Sequence, residues 1–203
     1  MSNPSFTNII TGGAVLWQAA VGTASPDETS IAYGVAWGGV WTRVGYTKAP
    51  IALIYDEEVG RFDVEEELTA VKSRRIAENM AIETVLAELT AGYLNLILGG
   101  TVATTAAGAS QRGYEELPFG GEATLPEYKW GIEGEYVNSA GLSFPLRVFI
   151  HRANSILNGN LQFSNRNSEY PGIPLRIDAL ADTTQAAGQK LAIFQRVTAE
   201  ATS

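Results

Sequence analysis

The chain has 203 residues, of which 45% are hydrophobic and 18% charged, with no cysteine and a formal net charge of -8. Those totals suit one folded domain with an ample core and exclude a disordered chain, a disulfide framework and a thiolate metal site. The acidic balance also argues against attraction to nucleic acid phosphate, which rests on clustered Lys and Arg. No stretch approaches the roughly 18 to 20 apolar residues that cross a bilayer, and the start "MSNPSFTNII" lacks the basic lead of a signal peptide, so the expectation is synthesis in a cytoplasm without membrane insertion.

In chain order, "AVLWQAAV", "GVWTRVGYT" and "IALIYDEEV" are short runs rich in aromatic and branched residues, which predicts strands. The first two are joined by the loop-like "GTASPDETSIAYG". Residues 56 to 67 then hold Asp56, Glu57, Glu58, Asp63, Glu65, Glu66 and Glu67 with Arg61 as the only base, and Lys72, Arg74 and Arg75 follow. Such separated patches either keep a hairpin soluble or meet their opposites on identical neighbours in head-to-tail assembly.

Between residues 78 and 98, Ile82, Leu86, Leu89, Tyr93, Leu96 and Ile97 recur at helical spacing. Strand and helix compete at the start of this segment. Thr90 as N-cap and Gly99 with Gly100 as stop predict a short helix over 91–98. Residues 99–127, rich in Gly, Ala and Thr, read as one long loop or small excursion within the single domain, and a loop of that length is expected to reach a partner.

Beyond it, "YKWGIEGEYV" places Tyr128, Trp130, Ile132 and Tyr136 on one face and Lys129, Glu133 and Glu135 on the other, the pattern of a half-buried strand. In "LSFPLRVFIHR", Leu142, Phe144, Leu146, Val148 and Ile150 share a side, and Pro145 predicts an edge or a bulge near the strand start. Leu175, Ile177 and Ala179 oppose Arg176 and Asp178, and Leu191, Ile193 and Val197 repeat the alternation. Seven or more strands predict an antiparallel sandwich or barrel.

Chemistry is sparse. The single histidine, His151, falls on the polar side of a predicted strand near Arg147 and Arg152 and reads as an exposed residue. There is no G-x-S-x-G elbow and no G-x-x-x-x-G-K-[ST] loop, and the glycines of "GVAWGGVW" lack dinucleotide spacing. One histidine cannot build a nitrogen or sulfur metal site. No cofactor is implied. A carboxylate pair drawn from Glu65, Glu66, Glu67, Glu115 and Glu116 is the one enzymatic option, set against the plainer reading of a solvated face.

Three phrases carry a resemblance. "AAVGTASPDE" followed by "WTRVGYT", the central "VLAELTAGYLNLILGG", and the closing "GIPLRIDALADTTQAAGQKLAIFQRV" stand in the order used by the major tail protein, or tail tube protein, of long-tailed double-stranded DNA bacteriophages, which this chain resembles. The resemblance does not extend to residues 99–127. It implies a mainly β fold, an antiparallel β-sandwich or half-barrel with one short flanking α-helix, a strand over about 76–88 and the helix after Thr90. It further implies a structural virion protein without catalytic activity, assembled in the host cytoplasm into the virion tail. Six copies would join their inner sheets into a ring barrel, and rings would stack into a tube through which DNA passes without specific binding. Its partners would be further copies, a tape measure protein, and terminator and tip proteins.

On that reading Asp56, Glu57, Glu58, Glu66, Lys72, Arg74 and Arg75 are candidate inter-ring contacts, and Glu65, Glu67, Glu133 and Glu135 are candidate lumen-facing acids. A negative lumen repels phosphate over about 8 Å at physiological salt. The rival reading is a carbohydrate- or receptor-binding sandwich on a virion or cell surface, with Trp37, Trp41, Tyr114 or Tyr170 as stacking platforms.

Overall fold

The computed structural model describes residues 12–26, 32–138, 141–162 and 172–199. Among the described residues the chain is mainly β, an antiparallel sheet with one short helix and no closed barrel. The strands are β1 (Val15–Ala20), β2 (Thr42–Arg43), β3 (Ala52–Phe62), β4 (Lys72–Leu86), then helix α1 (Ala91–Leu98), β5 (Ala103–Thr105), β6 (Tyr114–Glu116), β7 (Glu127–Val137), β8 (Ser143–Leu157), β9 (Ile173–Ala179) and β10 (Ala192–Arg196). The main sheet runs β2-β1-β7-β8-β9-β4-β3, and β10 pairs β8. Among the described residues no helix is long and apolar enough to cross a membrane.

The helix lies over 91–98, as its capping residues predict. Thr90 is extended and its Oγ1 accepts from the Tyr93 amide at 3.2 Å, while Gly99 adopts φ 73° and its amide returns to the Asn95 carbonyl at 2.9 Å. A positive φ at that stop is cheap only for glycine. Thr90→Ala is expected to cost about 1 kcal/mol, read as a lower thermal midpoint. The ambiguity upstream resolves as strand: Ile82 and Leu86 sit on β4, with Ile82 opposite Ile177 on β9. Burial against the sheet outweighs the local helical spacing of these residues.

One face of the sheet packs against α1 around Leu16, Val44, Ile82, Trp130, Ile150, Ile173, Leu175 and Ile177, all buried, with Ile97 from the helix. The opposite face is covered over β1, β7 and β8 by a second cluster of Trp17, Trp37 and Phe149, with Trp41 against it. The same face over β9, β4 and β3 presents Glu83, Arg176 and Asp178, linked by ion pairs at 2.6 and 2.8 Å.

Several expectations need correction. β8, which holds Pro145, is a central strand; Pro145 lies near its start, opposite Glu135, and its carbonyl accepts from Val197. Within the segment 99–127, read as a long loop or small excursion, β5 and β6 form a small two-stranded hairpin. Of the two closing strands, β9 lies between β8 and β4, and β10 pairs with a different stretch of β8. Ile173, Leu175 and Ile177 supply core contacts, but Ile193 and Phe194 are exposed, because β10 is an edge strand.

Candidate functional site

Two regions concentrate the candidate residues. The first is the β3–β4 hairpin. Its ladder runs from Ala52 opposite Glu83 to Phe62 opposite Lys72, far beyond the stretch where β9 covers β4. Beyond that stretch it has no sheet neighbour among the described residues. Leu53, Ile54, Tyr55, Val59, Phe62, Val64, Leu68, Val71 and Ile76 are all exposed large apolar side chains here. Residues of both parities are exposed, so both faces of the hairpin meet solvent. At Glu58 and Val59 the register shifts by one, leaving Ile76 as the extra residue on β4. Such a bulge increases local twist. A groove lined by Arg75 to Glu78 on one side and Ala181, Lys190 and Leu191 on the other separates the hairpin from the connection that leads into β10.

The candidate inter-ring residues gather on this hairpin but do not form separate patches. Arg75 pairs with Glu78 and also with Glu57 at 2.6 Å, and the hydrogen bond to Glu78 leads in raising the affinity of its guanidinium for its proton. Acid and base therefore meet within one chain. Glu58 and Asp56 fall on the other parity of β3, Arg74 and Lys72 lie opposite Gly60 and Phe62, and Glu65, Glu66 and Glu67 are exposed at the hairpin tip.

The second region lies under the tryptophans, where sequence reasoning placed solvent. Glu133, taken as a lumen-facing acid, is fully buried. Arg147, also fully buried, donates to its Oε1 through Nε and Nη2, both at 3.0 Å. Trp37 Nε1 donates to the same oxygen at 3.1 Å, and the Gly34 amide reaches Oε2 at 3.3 Å. The carboxylate thus pins residues 34–37 to the sheet. Trp37 stacks on Trp17 at 5.1 Å, meets Trp41 edge-on at 5.1 Å and tilts against Phe149 at 5.3 Å. Glu135 is half-buried and accepts from Ser143 Oγ, so it too is engaged within its own chain.

Further along this face, Lys129 is buried and donates to Thr23 O at 2.7 Å and Ser25 Oγ at 3.0 Å. Burial lowers its affinity for its proton. His151, expected to be exposed, is also buried, and its Nε2 has no hydrogen-bond partner among the described residues. Burial and the neighbouring Lys129 hold its proton affinity below the ordinary value, against the pull of Asp182. Asp182 accepts from the Thr184 hydroxyl at 2.7 Å, the Thr184 amide at 3.0 Å and Gln185 Nε2 at 3.2 Å, and the hydroxyl contact leads in keeping its carboxyl ionised to lower pH.

These arrangements decide among the chemical options. Trp37 is 1% exposed and cannot serve as a stacking platform, and Trp41 is partly buried against it; Tyr114 is exposed on β6 and Tyr170 lies outside the described residues. Glu115 and Glu116 are exposed on β6. Among the described residues no group of three or more His, Asp or Glu is arranged to hold a metal ion. The sequence signal for the buried polar row was Gly131, a glycine inside a strand, which marks a close approach by another group. That group is the Trp37 ring. Comparison with protein-family models gives no match, and comparison with curated proteins gives none either.

Proposed function

We propose that this protein is a structural virion subunit that polymerises as stacked hexameric rings to form a phage tail tube, the conduit for genome DNA. The observation that carries the reading is the β3–β4 hairpin, a long exposed ladder with apolar side chains on both faces at the margin of an open sheet. An edge of this kind invites pairing with another chain, and an apolar surface of this extent is otherwise an aggregation liability. Closure of neighbouring sheets into an annulus satisfies those backbone groups, and six-fold closure needs a rotation of about 60° per subunit. Tape measure, terminator and tip proteins would be the heterologous partners, and DNA would pass without specific contacts.

Negative-stain microscopy of the purified protein tests this. Rings or striated tubes of high mass are expected; a monomer at every concentration, with saturable sugar binding, would favour the binding-module reading instead. The hairpin tip gives a sharper prediction. Glu66→Lys removes no intramolecular partner seen among the described residues, so the melting temperature of the subunit should hold while tubes shorten or need a higher protein concentration to form. Tubes of ordinary length would remove Glu66 from the ring-to-ring contact.

A further inference from the structure

Strand β8 changes its neighbour part-way along. Residues 146–150 pair with β10 and residues 153–157 pair with β9. At the changeover β8 carries an extra residue, because Tyr128 opposite Ala153 is followed by Trp130 opposite Ile150. The bulge falls at His151 and Arg152, whose backbone groups hold the connection between β9 and β10: the His151 amide donates to Leu191 O at 3.2 Å, and Arg152 O accepts from Leu180 at 2.8 Å. The Asp182 amide closes the base of that connection on Lys190 O at 2.9 Å. A bulge of this kind re-aims a side chain. Here the side chain is His151, buried with Lys129 of β7 and Asp182 of the connection.

We propose that the connection between β9 and β10 is an acid-released latch, in which protonation of His151 frees the connection and strand β10 from β8 while the rest of the sheet stays folded. The groups that interact with the imidazole are Lys129 from β7, which opposes a second positive charge, and Asp182 from the connection, which favours it. Arg152, its neighbour on β8, is engaged by Glu127 at 2.6 and 2.9 Å. Asp182 is already satisfied by Thr184 and Gln185, so it has little reason to turn toward the ring. Moving the connection away hydrates the imidazolium and separates it from Lys129. Among the described residues five residue pairs hold β10, all on its β8 side, and of its side chains Ala192 alone packs against the helix-side core, so its release leaves most of that core in place.

The sign follows from the burial of the ring. The latched state binds the histidine proton less readily than the released state, whose value is about 6.5. Latching is therefore complete above that value and weakens as pH falls through it toward the depressed latched value, by at most about tenfold in the opening constant per pH unit for one proton.

Hydrogen exchange by mass spectrometry on the purified full chain, corrected for the intrinsic pH dependence of exchange, tests the latch. Between pH 7.5 and 5.5, amides of residues 180–196 should lose protection while those of residues 81–86 on β4 keep theirs. In His151→Gln the pH response of residues 180–196 should vanish. Equal responses in wild type and variant, or flat protection in both, would overturn the proposal. If the variant fails to fold, an NMR titration of the His151 ring in the wild-type protein decides: a midpoint below the free-histidine value, tracking the loss of β10 protection, supports the latch, and a midpoint at or above it overturns it.

Discussion

Arg147→Ala is expected to cost the fold about 3 to 5 kcal/mol, the range for removing one partner of a buried ion pair. The arginine is fully buried and holds Glu133 through two nitrogens; without it the carboxylate keeps, among the described residues, the Trp37 Nε1 and Gly34 amide donors in a buried site. Urea denaturation would read this as a lower midpoint at an unchanged slope. Glu133→Ala should also destabilise the fold, because it takes the carboxylate partner from a buried guanidinium. Replacing both by Met and Leu should cost less than either single change, since the penalty comes from removing one partner of a buried ion pair and keeping the other. A loss below about 1 kcal/mol in Arg147→Ala would mean that water reaches Glu133 and that the loop over it is not sealed.

The second large effect concerns the contact between Gly131 and Trp37. A Cβ on Gly131 would lie 2.6 Å from Trp37 Cη2, inside van der Waals contact, and the ring cannot retreat because Trp17, Trp41 and Phe149 surround it. Gly131→Ala should therefore cost about 1 to 3 kcal/mol by overpacking. Trp37→Ala should cost about 3 to 5 kcal/mol by opening the space between those rings. The two costs should not add. With the indole gone the new methyl group meets no obstacle, so the double variant should be no less stable than Trp37→Ala alone. Strict additivity would place the strain at Gly131 elsewhere than on the ring.

The legible part of the sequence was the part governed by local chemistry. Thr90, Gly99 and the residues between them specify their helix by capping, and Ile173, Leu175 and Ile177 announce a buried strand face by alternation. Alternation also misled. Lys129, Glu133, Arg147 and His151 occupy the parity that usually meets water, and nothing in their own strands records that a segment from about a hundred residues earlier folds over Lys129 and Glu133, or that the connection before β10 lies against His151. Burial of a polar face is decided by what covers it, a long-range property that period-two spacing does not contain. The same limit applies to the charge runs. Glu57 and Arg75 read as two patches in sequence, yet antiparallel pairing brings them together across one hairpin.

The place of β1 in the sheet bears on how the molecule is made. Val15 pairs with Glu133 and Ala20 with Tyr128, so β1 leaves the ribosome more than a hundred residues before β7, its long partner among the described residues. Until β7 emerges, Trp17 has neither the sheet nor Phe149 to pack on, whereas β3 and β4 can zip together as soon as they are synthesised. Closure of so long a loop is slow and leaves sticky surface uncovered in the interim. Strand β1 thus waits without its long partner while the middle third is made, and the nascent chain is most exposed to chaperones and to misassociation during that interval.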